Sequence, residues 1–307
     1  MNLSRIINIC LLFTLTIYLS SCSGESQSEQ PKKDAAPEAP KKSGNESSIL
    51  KVGDKLFNLP SPIETAMLIE EVGGDFMEQL MSPAPDATKY STKNAQAMNL
   101  GVYGADLGYA LIYNQSQKAF TLLANCKKLG GELGISPSLY TTLIKRFENN
   151  MDNRDSLLIM IAQLNSLNDE YIKENESEDI SALILYGGWV ESLYFTTQLT
   201  AKMNDAKLRS RVGEQKNSLE NLIGLIDQSN INGDLDGIIE DLKELKTIFD
   251  KVEYSYEWVE PETKPDQKLT IIQSKSSVNI SNEVLKEISD KILEIRASII
   301  NTTAQIP

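Results

Sequence analysis

The chain has 307 residues, of which 43 are acidic and 30 are basic, and it contains no histidine. A formal net charge of −13 disfavours binding to nucleic acid or to anionic lipid head groups, so we expect neither as a partner. The lack of histidine excludes Ser-His-Asp and Cys-His catalysis, histidine-ligated zinc or haem, and di-iron sites that need Glu-x-x-His. Since no phosphate-binding glycine motif is present either, we predict no cofactor and no metal.

The first predicted element is an export signal. Arg5 precedes an apolar run from Ile6 to Leu19, which is too short to cross a bilayer comfortably as a helix. Leu19-Ser20-Ser21-Cys22 follows and resembles the lipobox of bacterial lipoproteins. The resemblance implies cleavage before Cys22, diacylglycerol on its thiol and acylation of the new amine. We therefore predict a lipoprotein signal peptide over residues 1–21, with a transmembrane anchor or an ordinary signal peptide as the alternatives.

The lipid implied by this resemblance would place the protein in the cell envelope. Several acyl chains on Cys22 would hold it there essentially permanently, because each buried methylene contributes about 0.8 kcal/mol. Ser23 resembles the sorting signal for the outer membrane, on its periplasmic or its surface face. The partners we expect are the membrane, through the lipid on Cys22, and an envelope protein or a small ligand.

Residues 22–50 are predicted to form the acylated cysteine and a disordered tether. Ser, Glu, Lys, Pro and Ala dominate this segment, which has no aromatic residue and cannot bury enough apolar surface to fold. A flexible chain of this length has an end-to-end distance of about 30 Å. Residues 51–307 are the predicted domain, in which Cys126 has no cysteine to pair with and is expected to be a small buried hydrophobe.

From Ser61 onward the apolar residues repeat with helical periodicity. Ser61-Pro62-Ile63-Glu64 has the pattern of a capping box and predicts a helix to about Leu80. A long apolar stretch then runs from about Thr92 to Leu133, either broken near Asn114 or continuous through it. Caps and apolar stripes predict further helices over residues 136–149, from 153, and over 177–203, 208–229, 236–252 and 282–301.

The last helix and the segment before it complete the predicted fold. Over residues 282–301 the apolar residues recur at spacings of three and four, which is typical of a helix docking on a bundle, with a dimer seam as the alternative. Residues 254–258 could pair with 269–272 in a short hairpin. We therefore predict an all-α fold, a multi-helix bundle of about seven to eight helices, with one short β-hairpin near 254–273 as an optional element.

One predicted helix carries a single charge in an apolar sequence. Asp106 is the only charged residue between Lys93 and Lys118. Three glycines of this helix lie within about 60° of one another on a helical wheel and predict the close approach of another helix. They are Gly101, Gly104 and Gly108. Asp106, Tyr109 and Tyr113 lie on the opposite side.

A second helix has the same character. Glu191 is the only charged residue between Asp179 and Lys202, and this helix also contains Tyr186 and Tyr194. A buried carboxylate must be paired, hydrogen-bonded or neutral. Asp106 and Glu191 are therefore either core groups satisfied by tyrosine hydroxyls, a backbone amide or an arginine such as Arg146 or Arg154, or ligand-binding groups. The ligand site would comprise Asp106, Tyr109, Tyr113, Tyr186, Glu191 and Tyr194 and would take a cationic or polyhydroxylated molecule.

These features predict a membrane-anchored envelope lipoprotein with a non-enzymatic ligand-binding or adaptor domain. A purely structural protein-protein interaction module is one alternative. A carboxylate-based hydrolase is another, since paired carboxylates can perform general acid-base chemistry, although no residue is assigned a catalytic role. An open cavity that contains both carboxylates would favour ligand binding, and carboxylates sealed in the core would favour the structural interpretation.

Overall fold

The structure of the protein, a computed structural model, describes residues 48–52, 55–83, 87–135, 137–161 and 178–301. All of them belong to one compact unit. The predicted signal peptide, Cys22 and most of the predicted tether lie outside the described residues. Within the described ranges, no helix is long and apolar enough to cross a membrane.

The described part of the chain is an all-α bundle with small β-hairpins, which confirms the predicted fold class. Its nine α-helices are α1 (Pro62–Glu71), α2 (Lys93–Ile112), α3 (Ser116–Glu132), α4 (Pro137–Glu148), α5 (residues 154–161), α6 (Glu178–Met203), α7 (Ala206–Ser229), α8 (Asp236–Phe249) and α9 (Asn282–Asn301). The strands are β1 (Ser48–Val52), β2 (Lys55–Leu59), β3 (Glu253–Glu257), β4 (Glu262–Lys264), β5 (Leu269–Ile271) and β6 (Lys275–Asn279).

Helices α2 and α6 form the central pair of the bundle and are buried over most of their length. They pack at very short range because each has a glycine at the contact. A Cβ added to Gly101 would lie 2.0 Å from the carbonyl oxygen of Ile184, and one added to Gly187 would lie 1.9 Å from that of Met98. Any side chain at either position would force the two backbones apart.

The predicted glycine stripe on α2 therefore has more than one role. Gly101 makes the close helix approach that the sequence predicted, and Gly108 contacts the side chain of Ile63 on α1. Gly104 faces open space, with no atom within 4 Å of an added Cβ. Gly101, at one end of the stripe, therefore contacts another helix, whereas Gly104, in its middle, lies at the surface.

Two helix boundaries are set by left-handed residues. Helix α1 ends at Glu71 and not near Leu80 as predicted, because Gly73 adopts a φ of 80° that stops the helix. Residues 72–83, called the strap below, then cross the bundle as a loop with one 3-10 turn. The long stretch from residue 92 to 133 is broken, since Asn114 has a φ of 57° between α2 and α3.

Helix α9 packs along the bundle through its apolar stripe. The buried residues of this stripe are Leu285, Ile288, Ile292, Ile295 and Ile299. The predicted docking is confirmed, and because the stripe is covered by the chain itself it is not available as a dimer seam.

A hairpin is present near residues 254–273, as predicted, but the predicted strand pairing is wrong. Strand β3 pairs with β6, so that Tyr254 lies opposite Val278, and not with residues 269–272. Residues 269–271 instead pair with β4, because a tight turn closes between Pro265 and Lys268, whose N–H donates to the Pro265 carbonyl oxygen at 3.1 Å. The hairpin is therefore longer than predicted and extends from residue 253 to 279.

A second hairpin, formed by β1 and β2, was not predicted. Its strand β1 begins at Ser48 and includes residues 48–50, which the sequence assigned to the tether. The described part of the fold thus includes residues that precede the predicted domain boundary at residue 51. The signal for it was the pair of short apolar segments on either side of Gly53-Asp54, a dipeptide typical of hairpin turns.

Candidate functional site

Asp106 of α2, Glu191 of α6 and Arg296 of α9 form a buried polar cluster in the centre of the bundle. Asp106 and Glu191 are 0% exposed and Arg296 is 6% exposed. Arg296 binds Glu191 through both of its carboxylate oxygens, donating from Nε to Oε2 at 2.6 Å and from Nη2 to Oε1 at 2.7 Å. The carboxyl of Asp106 lies close to that of Glu191, whose charge acts on it. The structure thus brings the two predicted carboxylates together and adds an arginine.

The cluster contains two acids and one cation. Burial therefore decides which of the two carboxyls is ionised. Burial raises the pKa of the Asp106 carboxyl well above its ordinary value, and the neighbouring Glu191 carboxylate raises it further, whereas Arg296 and the Ser82 N–H lower it. Burial also raises the pKa of Glu191, against the two Arg296 hydrogen bonds. We conclude that Asp106 is the protonated acid and that Glu191 is ionised. The cluster is then electrically neutral, as a sealed core requires.

The atoms of Asp106 agree with this assignment. Its Oδ2 accepts a hydrogen bond from the backbone N–H of Ser82 at 3.1 Å. Its Oδ1 is buried and receives no donor from the described residues. A neutral carboxylic acid carries its proton on the oxygen that accepts no hydrogen bond, so we assign the proton to Oδ1.

The polar face of α2 that the sequence predicted for a ligand binds the strap. The Tyr113 hydroxyl donates to the carbonyl oxygen of Gly74 at 2.6 Å, the Met77 N–H donates to the Tyr109 hydroxyl at 3.0 Å, and the Ser82 N–H donates to Asp106 at 3.1 Å. Three side chains on successive turns thus satisfy the backbone of a loop that crosses them. This face is occupied by the chain itself.

Arg296 extends the same network. Its Nη2 also donates to the Leu80 carbonyl oxygen of the strap at 3.0 Å, and its guanidinium lies 4.1 Å from the centre of the Tyr194 ring. Tyr194 therefore stabilises the cation, and the ring face that Arg296 covers is closed to a ligand. Tyr186 lies elsewhere on α6, where burial and the charge of Asp241 on α8 raise its pKa.

Solvent reaches neither carboxylate, since Asp106 and Glu191 are both 0% exposed. A groove of about 430 Å³ between the strap and α3 includes Ser82, but neither Asp106 nor Glu191 lines it. The geometry therefore favours the structural interpretation of the cluster over ligand binding.

Arg296 is the residue that the sequence analysis missed. Arg154, an arginine considered as a partner, instead binds Glu70 at 2.6 Å. The available signal was the position of Arg296, four residues after Ile292 and three before Ile299, on the apolar stripe of α9. A lone cation on such a stripe indicates a buried acidic partner.

Cys126 is a core residue, as predicted. It is 2% exposed, and burial raises the pKa of its thiol to about 12, so the reactive thiolate is not formed near neutral pH. Among the residues that the structure describes, no three His, Cys, Asp or Glu side chains are grouped so that they could hold a metal ion.

The proton on Asp106 predicts a pH dependence of stability. Because the folded-state pKa of Asp106 lies above its unfolded value, its contribution is complete below about pH 4 and is lost as the pH rises through the folded-state pKa. Asp106→Asn keeps an acceptor for the Ser82 N–H but cannot titrate. We expect the wild type to lose stability relative to Asp106→Asn as the pH rises, measured by urea unfolding at a series of pH values. A difference that is independent of pH would contradict the protonation of Asp106.

In contrast to the buried cluster, the long hairpin of residues 253–279, called the arm below, is exposed at the surface. It leaves the bundle between two buried residues, Val252 and Ile280. Its first rung is attached to α7, where the Tyr254 hydroxyl donates to the Gly213 carbonyl oxygen at 2.8 Å.

Beyond this rung the arm carries large apolar side chains in solvent. Tyr256 and Trp258 are each 65% exposed, and Ile272 is 74% exposed. Aromatic side chains of this kind are enriched at the centres of protein-protein contacts. The arm is therefore the candidate interaction surface of the domain.

Comparison with protein-family models, with curated proteins and with solved structures gives no match for this chain. The sealed cluster and the exposed arm are thus interpreted from their own geometry. The cluster joins α2, α6, α9 and the strap through buried hydrogen bonds, and the arm has apolar surface without a partner among the described residues.

Proposed function

We propose that the protein is a lipid-anchored lipoprotein of the cell envelope whose helical domain is a non-enzymatic adaptor. The observation that carries the proposal is the arm, which holds Tyr256, Trp258 and Ile272 in solvent while the buried polar groups of the bundle are sealed. An adaptor needs an accessible contact surface and no reactive group. The arm supplies that surface, and the lipid on Cys22 would keep it at the membrane.

The position of the carboxylates weighs against the ligand-binding and hydrolase alternatives. A general acid or base must come within hydrogen-bonding distance of its substrate, directly or through one water. Asp106 and Glu191 are 0% exposed, and their oxygens accept hydrogen bonds from Ser82 and Arg296. A substrate could reach them only if the strap left the bundle.

The anchor is tested by Cys22→Ser. This variant lacks the thiol that the lipobox resemblance assigns to the lipid, so we expect it to lose labelling by a fatty-acid analogue and to leave the membrane fraction. Ser23→Ala is the matched control, because it changes the adjacent residue and leaves the thiol in place. Unchanged labelling of Cys22→Ser would refute the anchor.

The adaptor is tested by photocrosslinking from the arm in intact cells. A photoreactive phenylalanine analogue at position 258 is expected to give a discrete protein adduct, because Trp258 lies at the proposed contact. The same analogue at position 231 is the control, since Ile231 is 88% exposed but lies on the bundle, away from the arm. Equal adducts from both positions, or none from position 258, would refute the contact.

A further inference from the structure

Within the part of the chain that the structure describes, the arm has an unpaired strand edge. Strand β3 belongs to a two-stranded sheet, in which β6 is its partner, and all five of its residues are exposed. In such a ribbon, alternate backbone N–H and C=O groups of each strand point away from its partner and can pair with a further strand. Strand β6 is less available, because Val278 packs against Gly213 on α7.

The side chains along β3 divide into two rows. Tyr254 and Tyr256 point to one side of the ribbon, and Glu253 and Glu257 point to the other, because successive residues of a strand alternate. The acidic character continues beyond the strand at Glu260 and Glu262. A strand beside β3 would therefore meet carboxylates on one face of the ribbon and tyrosines on the other.

We infer that the arm binds a basic, extended segment of a partner protein by strand addition to the free edge of β3. This inference rests on the proposed adaptor function and names its partner chemistry. Backbone hydrogen bonds supply the general attraction, and alternate basic and apolar side chains of the incoming strand match the two rows.

A second copy of this chain fits the edge poorly. Antiparallel pairing of two β3 strands about Ser255 would place Glu253 of each copy opposite Glu257 of the other. Like charges directly opposite each other destabilise a strand pair. The same carboxylates disfavour a bilayer surface as the occupant, since Glu257 and Glu260 flank Trp258.

The experiment uses the full chain from residue 22, with Cys22→Ser to remove the acylation site, and a capped nine-residue peptide of alternating lysine and valine. Trp258 reports binding by its fluorescence, because the other tryptophan, Trp189, is 3% exposed and donates to Gln215 inside the bundle. The Lys-Val peptide is expected to bind. An alternating Glu-Val peptide of the same length is expected not to bind.

Charge and backbone pairing are tested separately. Glu253→Lys/Glu257→Lys should weaken binding of the Lys-Val peptide by about tenfold, whereas Asp234→Lys/Glu240→Lys, an equal change on exposed bundle residues, should alter it by less than about twofold. A Lys-Val peptide with alternate amide nitrogens methylated loses its donors along one edge. The methylated positions can be the odd-numbered or the even-numbered amide nitrogens. One of these two peptides should fail to bind, although the protein is unchanged.

Several outcomes would overturn strand addition. The first is that the Glu-Val peptide binds as well as the Lys-Val peptide, and the second is that both methylated Lys-Val peptides bind undiminished. The third is that phosphatidylcholine vesicles shift the Trp258 fluorescence in place of peptide, and the fourth is that the chain self-associates through the arm. If position 258 still gives an adduct in cells while the peptide fails to bind, the adaptor proposal stands and the inference about its partner fails. If position 258 gives no adduct, the adaptor proposal fails as well.

Discussion

Arg296→Met should lower the free energy of unfolding by about 3–5 kcal/mol, because it leaves the Glu191 carboxylate buried without its cation. Methionine fills a similar volume and keeps the apolar packing of α9, so the loss measures the charge and the hydrogen bonds. It also removes the bond to the Leu80 carbonyl oxygen and loosens the strap. Chemical unfolding monitored by circular dichroism gives the value.

Two matched variants separate a buried charge from a surface one. Glu191→Gln/Arg296→Met removes both charges and should recover most of the lost stability, since a neutral core tolerates the change. Lys286→Met removes a cation from an exposed ion pair with Asp290 on the same helix and should change stability by no more than about 0.5 kcal/mol. An Arg296→Met effect as small as that of Lys286→Met would show that the cluster does not hold the fold together.

Gly187→Ala is expected to destabilise the domain by about 3 kcal/mol or more. The added Cβ would lie 1.9 Å from the Met98 carbonyl oxygen, and backbone cannot yield as a flexible side chain does. Gly101→Ala should behave in the same way, because its Cβ would lie 2.0 Å from the Ile184 carbonyl oxygen. Both variants force α2 and α6 apart along the centre of the bundle.

Gly104→Ala is the control for this prediction. It lies on the same helix, but nothing stands within 4 Å of an added Cβ, so alanine should stabilise α2 by about 0.5–1 kcal/mol through its better helix propensity. Thermal and chemical unfolding of the three variants gives the comparison. A neutral Gly187→Ala would mean that α2 and α6 do not pack as closely as the structure shows.

Helical periodicity was sufficient to predict most of the bundle, because each helix buries one face and its sequence repeats accordingly. The α1 boundary was wrong because the apolar pattern continues through residues 72–80, where left-handed Gly73 ends the helix. The register of the arm was wrong for a related reason. The turn at Pro265 decides it, and several strand pairings suited the apolar pattern equally well.

The cluster was predictable only in part. Asp106 and Glu191 were recognised as candidate buried groups because each is alone in an apolar helix. Their partner was not, since Arg296 lies 105 positions from Glu191 and a local pattern carries no information about such a contact. The strap was missed because its bonds to α2 use backbone atoms, which leave no signature in the sequence.

The exposure of the arm also could not be predicted from the sequence. Alternation in Tyr254-Ser255-Tyr256 normally indicates a strand with one buried face. Here the bundle covers only the first rung, and Tyr256 remains 65% exposed because the arm extends past α7. How far a hairpin projects depends on where its ends leave the bundle, which is a property of the tertiary structure.

The central claim is that the carboxylates hold the fold while the arm makes the functional contact, and the photocrosslink from position 258 tests both halves together. Its yield in intact cells is expected to persist with Asp106→Asn, which keeps an acceptor for the Ser82 N–H, and to fall at least about fivefold with Tyr256→Ser, which removes the neighbouring contact on the arm. Loss of the adduct with Asp106→Asn in a folded protein, together with an unchanged yield with Tyr256→Ser, would contradict the account.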